Sequence, residues 1–331
     1  MGFKEDIKKL HSQIDSLSID EIKAIVDPYQ RGIKIVSPVI AANSFFYRGR
    51  FFNTGFKKTD PIKISDLSYR KTGVPAGRAN RENSPVFYCS DVKEIVFYEL
   101  NVSEGAEFIL SNWQNTATLI VSNIGYTESV FKGMGSTRIC PKWGKREDGI
   151  DTFSLDLLSE EEMAAKLKKI SDSDPHFEIR AFYNNEFMRE DKSFYKLTTA
   201  IAEQHLGEIQ DSALRFGGII YPTVRMAANG DNVAILPWYV DRHLVFKGAS
   251  HIKVTARKGN EISFSEVDYA TAFDADGNLI WKGYPLHGNI LPGHYTAKDT
   301  VGTDEFGFYE RVYDGKKVRW EIYDENGTIC S

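Results

Sequence analysis

The chain has 331 residues, 42% of them hydrophobic and 26% charged, which is the balance of a globular protein long enough for one large domain or two ordinary ones. A formal net charge of -5 provides no global positive field to collect phosphates, which argues against direct nucleic-acid binding. Cys89, Cys140 and Cys330 are too scattered for a disulfide framework or a zinc site, the N-terminus lacks an apolar signal core, and no run of 18 apolar residues occurs, so a cytoplasmic protein without a membrane partner is expected.

Residues 2–27 read as helix, because Phe3, Ile7, Leu10, Ile14 and Leu17 form one apolar stripe. Ser18 with Glu21 makes a capping box, so a second short helix is expected from there, closed by Pro28. Residues 1–30 are therefore read as a helical prefix docked on the main domain. From residue 33 the pattern changes to short β-like runs at 33–36, 44–48, 86–89 and 116–121. The polar stretch 57–85, with Gly73, Pro75, Gly77 and Pro85, reads as loop. Val92, Ile95, Val96 and Glu99 have helical spacing, with Ser90 or Asp91 as N-cap.

Residues 123–157 are rich in Gly, Lys and Arg and read as an insertion or a long active-site loop. Ser159 with Glu162 opens another helix, and a further one is expected near 193–206. Residues 217–223 read as a buried strand ending at Pro222, since proline cannot feed a central ladder. After Asp241 the chain turns β-rich. The aromatic-Asp units at 273–277, 313–315 and 323–327 read as hairpin turns, because a full calcium-binding loop is missing. The expected organisation is a prefix at 1–30, an α/β (α+β) catalytic domain at 31–240 with an insertion near 123–190, and a β-rich extension at 241–331.

Four segments in order resemble the RES domain, a family named for an Arg, a Glu and a Ser. They are Phe45-Phe-Tyr-Arg48-Gly-Arg50; Gly77-Arg78-Ala-Asn80 with Pro85-Val-Phe-Tyr88; the helix bearing Glu99, eleven residues after Tyr88; and Gly218-Ile-Ile-Tyr221-Pro-Thr223 with the following Gly230-Asp-Asn. The resemblance covers about residues 44–240. Thr223 departs from it, standing where the family has serine, and so keeps the hydroxyl while adding a methyl.

The resemblance implies a fold similar to the ADP-ribosyltransferase toxins, with a split or bent sheet and flanking helices. It also implies cleavage of the nicotinamide–ribose bond of NAD⁺ and pairing with a helix-turn-helix antitoxin. NAD⁺ is then a substrate rather than a cofactor. In that chemistry a carboxylate, Glu99, faces the positive charge developing on the ribose. Arg48 and Arg78 suit the pyrophosphate through their guanidinium forks. Tyr88 stacks on nicotinamide or reaches the ribose, Tyr221 adds to the pocket, and Thr223 orients Glu99 or donates to a sugar oxygen. Of Arg48 and Arg50 only one is expected to face a pocket, and Arg48 is favoured.

Read without the resemblance, Glu99 is a solvated helix charge, Arg78 orders its loop, and Tyr88 and Tyr221 are core aromatics. No metal-ligand spacing, nucleophile elbow, Walker loop or dinucleotide fingerprint is present. Transfer of ADP-ribose to a protein, or nucleotide binding at a catalytically dead site, remain the alternatives to NAD⁺ degradation.

Overall fold

The computed structural model describes residues 2–31, 33, 37–51, 62–135, 141–208, 215–282, 308–313 and 318–323. The chain opens with helices α1 (Phe3–Ser12) and α2 (Ile19–Gln30). Ser18 caps α2 through the expected box with Glu21. The helix does not stop at Pro28 but carries it inside its last turn, where only one ladder bond is lost. Then come β1 (Val39–Ile40), β2 (Phe45–Phe51), the single-turn α3 (Ile64–Leu67), β3 (Phe87–Cys89) and α4 (Lys93–Glu99). The strand expected at 33–36 lies largely outside the described residues.

β4 (Glu107–Asn115) and β5 (Leu119–Asn123) precede α5 (Glu128–Gly133), β6 (Pro141–Lys145) and β7 (Asp151–Leu155). Where a long loop was expected, β6 and β7 thus form a hairpin. Three helices follow: α6 (Glu160–Ser171), with its expected Ser159–Glu162 box, α7 (Phe177–Met188) and α8 (Tyr195–His205). Next are β8 (Gly207–Glu208), β9 (Arg215–Phe216), β10 (Gly218–Pro222), β11 (Asp231–Ile235) and α9 (Pro237–His243). The chain continues through β12 (Leu244–Lys258), β13 (Glu261–Ala270), β14 (Ala272–Phe273), β15 (Leu279–Ile280), β16 (Phe308–Tyr313) and β17 (Val318–Tyr323). The turn at 273–277 joins β14 to β15, with Asp274 accepting from Asp276 and Asn278 backbone amides. The turn at 323–327 lies almost wholly outside the described residues.

Two sheets organise this mixed α/β molecule. The first has order β1-β5-β10-β11-β3, with only β5 and β10 parallel. The second has order β2-β4-β12-β13-β7-β6 and is antiparallel throughout. β12 and β13 are inner strands of this second sheet, so residues 244–270 are not an appendage. The sequence there reads as a separable unit because antiparallel hairpins look alike whether they stand alone or insert into an older sheet.

Strand alternation places the layers. Ile220, Val233 and Ile235 face the second sheet, sharing a core with Phe46, Phe87, Trp113 and Phe246. Ile219, Tyr221 and Ala234 point the other way, onto Ile22, Val26, Phe187, Leu197 and Ile201 of the helices. The N-terminal pair is tied to that helical layer by Lys23–Glu203 and by Lys196 Nζ donating to the Asp15 and Leu17 carbonyls. On the far side of the second sheet, Ile95, Val96 and Phe97 of α4 pack on Phe108, Phe153 and Phe264.

The two sheets touch through their edges at one point. Tyr47 of β2 and Ser90, just after β3, exchange backbone hydrogen bonds of 2.7 and 2.9 Å. Beyond that bridge the strands diverge. α4 closes over the divergence because Gly49 has no side chain. A Cβ there would lie 2.5 Å from both Val96 Cγ1 and Leu100 Cδ1. Gly49→Ala is therefore expected to lower stability by about 1–3 kcal/mol, the usual cost of overpacking. Urea denaturation checks this, and an unchanged midpoint would show that α4 yields freely.

Glu266 on β13 is buried, and that burial raises its carboxyl to about 8, against the pull of the Ser250 hydroxyl and the Lys93 ammonium. Between about pH 5 and 8 the folded chain thus keeps a proton that the unfolded chain gives up, so stability falls as pH rises through that window. Glu266→Gln removes this titration. Its unfolding midpoint should change less between pH 5 and 8 than that of the wild type, and parallel pH profiles would refute the assignment.

Candidate functional site

The divergence below the Tyr47–Ser90 bridge forms a cleft of about 290 Å³. β2 contributes Tyr47, Arg48 and Gly49; β3 and its end contribute Tyr88, Cys89 and Ser90; α4 contributes Val96, Glu99 and Leu100 at the end of the helix; β10 and β11 add Tyr221 and Asn232. Four residues singled out in the sequence, Arg48, Tyr88, Glu99 and Tyr221, therefore share one cavity. Tyr221 and Asn232 stand opposite each other in the β10–β11 register. Asn232 was not anticipated. Its alternation within residues 230–235, out of phase with the core-facing Val233, was the signal that could have found it.

α4 is held over the cleft at its start by Ser90. The Ser90 hydroxyl donates to the Asp231 carbonyl and accepts from the Val92 amide. The N-cap expected at Ser90 or Asp91 is instead Val92, which caps without a side-chain hydrogen bond; Ser90 accepts from the amide of Val92, not from the free amides of the first helical turn. On its outer side the helix is bound to the β6–β7 hairpin. Trp143 Nε1 donates to Glu94 Oε1, and the Lys93 ammonium lies 4.1 Å from the centroid of the same indole.

Glu99 is half-buried, and its Oε1 is sealed from solvent without a hydrogen-bond partner among the described residues. Arg48 donates through Nη1 to the Tyr88 carbonyl at 2.7 Å and lies over the Phe87 ring, while its Nε has no partner among the described residues. Burial lowers Arg48 to about 10, and the neighbouring guanidiniums of Arg50 and Arg70 push in the same direction. Burial holds the Tyr221 hydroxyl far above the usual tyrosine range; Tyr88 and the Glu99 carboxylate add to this, and the Arg78 guanidinium opposes it. Tyr221 is thus within electrostatic reach of both Glu99 and Arg78.

The Tyr88 ring borders the cleft, but its hydroxyl is committed elsewhere. It accepts from the Ala79 amide at 2.9 Å and donates to Asn80 Oδ1 at 2.8 Å. Tyr88 therefore anchors the 77–80 turn and offers the cleft its ring, not its proton. Arg78 is not among the lining residues. Its two terminal nitrogens donate to the Phe187 and Arg189 carbonyls at the end of α7, and its guanidinium lies over Tyr195. The pairing expected of Arg48 and Arg78 across one pyrophosphate is therefore not formed here.

Arg48 and Arg50 also depart from expectation. Positions two apart on a strand share a face, so both guanidiniums project from the same side of β2. Arg48 reaches the small cleft and Arg50 a neighbouring one.

Thr223 follows β10 and lies outside the lining. Its amide donates to the Gly230 carbonyl and its carbonyl accepts from Ala228. Its Cγ2 would be 2.9 Å from a Cβ added at Gly230, where Ile95 of α4 also crowds in. The methyl that distinguishes threonine from serine thus packs beneath α4, while Oγ1 is fully buried without a partner among the described residues.

Among the described residues no cluster of His, Cys, Asp and Glu could hold a metal, and no helix is long and apolar enough to cross a membrane. Comparisons of the chain with protein-family models, curated proteins and solved structures return no match.

Removing an unpaired buried hydroxyl at constant shape costs little or stabilises. Thr223→Val is expected to leave stability unchanged or raise it by up to about 1 kcal/mol, as read by chemical denaturation. A loss of more than that would show that the hydroxyl has a partner.

Proposed function

We propose that the chain cleaves the nicotinamide–ribose bond of NAD⁺ at the Arg48–Tyr88–Glu99–Tyr221 cleft, on an ADP-ribosyltransferase-like split sheet of the RES type. The observation that carries this reading is the Glu99 carboxylate, with one oxygen sealed from solvent and unpartnered in a small cavity that also holds a half-buried arginine. A buried polar atom without a partner is costly unless something else meets it. A ribose hydroxyl can donate to that oxygen, and the oxocarbenium-like charge that develops as the glycosidic bond breaks is opposite in sign to the carboxylate.

In this reading the Tyr88 and Tyr221 rings wall the nicotinamide end and exclude water from the face of the sugar. Arg48 turns its unpaired Nε toward a phosphate oxygen. Nicotinamide departs neutral, so no strong general acid is required. Water, phosphate or a protein side chain then takes the ribosyl carbon, and the three acceptors give free ADP-ribose, its phosphate or a modified protein. The resemblance adds a helix-turn-helix antitoxin as partner and a toxin role for the chain.

One observation favours a second reading, nucleotide binding without turnover. Thr223 and Arg78 lie outside the cleft lining, and the Thr223 hydroxyl faces no partner among the described residues. Both readings are decided by incubating the purified protein with NAD⁺ and resolving the products by chromatography. Glu99→Gln should lower turnover by about 10²-fold or more, equivalent to about 3 kcal/mol of transition-state stabilisation, with the fold intact by circular dichroism. Wild-type turnover in Glu99→Gln would refute the carboxylate assignment. Binding of NAD⁺ by the wild type with no products would establish the second reading.

A further inference from the structure

A cleft of about 290 Å³ lies at the lower limit of small-molecule pockets and accommodates one nucleoside half of a dinucleotide, not both. A second cleft of about 950 Å³ shares Gly49 with it. The two cavities thus follow one another along β2, and the chain from Arg48 to Arg50 passes from one to the other.

The walls of the larger cleft include Arg50, Arg70 and Lys71, against two carboxylates, Asp66 and Asp241. The Asp66 carboxylate offsets part of the Arg50 charge, and both carboxylates also accept hydrogen bonds. Asp66 Oδ2 accepts from the Lys63 amide, and both oxygens of Asp241 face the Tyr69 hydroxyl at 2.7 and 2.8 Å. Arg50 donates one nitrogen to the Asp66 carbonyl, a neutral acceptor. The cations remain close enough to oppose one another: Arg50 and Arg70 each disfavour the charged form of Arg48, and Arg70 does the same to Arg50. Three guanidiniums that repel one another where two cavities adjoin are relieved by a dianionic group lodged between them. Phe51, half-exposed, also borders the larger cleft, from the opposite face of β2, with its ring against Phe108.

We infer that the larger cleft is the diphosphate subsite of the dinucleotide, with Arg50 and Arg70 gripping the diphosphate beside Arg48. The inference rests on the NAD⁺ reading of the small cleft and extends it, because it places the dinucleotide's diphosphate along β2 between the small cleft and the larger one. It also replaces Arg78, anchored to carbonyls at the end of α7, as the second phosphate ligand.

The test uses ADP, which carries the diphosphate and adenosine but no nicotinamide, in calorimetric titrations of the full chain. The wild type should bind ADP. Arg70→Gln, a change at an exposed side chain, should weaken ADP at least tenfold, and Arg50→Gln should do likewise. Glu99→Gln, confined to the small cleft, should bind ADP within twofold of the wild type. In NAD⁺ turnover, Arg70→Gln should raise KM at least tenfold while kcat stays within twofold. If the wild type does not bind ADP, or if both arginine variants bind it as the wild type does, the subsite is wrong, and NAD⁺ cleavage with unchanged KM would show that the catalytic reading survives it. If NAD⁺ is not cleaved but ADP binding is lost in Arg70→Gln and Arg50→Gln, the subsite stands and the catalytic reading falls.

Discussion

The backbone exchange between Tyr47 and Ser90 is the contact on which the arrangement depends. It is a single rung between the edges of two sheets that otherwise follow separate courses. A longer ladder there would have zipped β2 to β3 and left no cavity. The rung also sets Arg48 beside Tyr88, whose carbonyl accepts from Arg48 Nη1. Ser90 carries more than its share of this geometry. Its backbone makes the rung, and its hydroxyl joins the Asp231 carbonyl to the first amide ahead of α4. One residue thus registers both sheets and the helix that bears Glu99, and Gly49 lets that helix settle directly on the strand.

Much of this was legible in the sequence because local rules governed it. The two serine capping boxes marked true helix starts at Ser18 and Ser159. The continuous apolar run before Pro222 marked a strand buried on both faces, and β10 is that strand. Arg48, Tyr88, Glu99 and Tyr221, read as one set from motif order, line one cleft, although Arg48 and Tyr88 sit mid-strand and only Glu99 ends its element.

What was not legible required three-dimensional partners. Arg78 looks like a ligand by type, yet two carbonyls freed at the end of α7 claim its guanidinium, and α7 itself shows little amphipathic pattern because so many of its residues are buried. The Tyr88 hydroxyl is claimed in the same way by the 77–80 turn. The break expected near residue 240 marks a change of local pattern, not of packing, since β12 pairs with β4 along the whole of β4. Sequence patterns report which faces are apolar. They do not report which sheet receives a strand or which carbonyl lacks a donor.

The attachment of α4 to the β6–β7 hairpin has an optical consequence. Trp143 touches this helix through both an N–H donor bond and a cation over its ring, and the residue is 40% exposed. The energy of an indole's excited state follows the charges beside it, and here those charges are Lys93 and Glu94 on the first turn of the helix that ends at Glu99. The molecule therefore carries a built-in chromophore on the outer surface of the same short rod whose inner end borders the cleft. Any tilt of that rod as the cavity fills is transmitted to the emission of Trp143 without a label having to be attached.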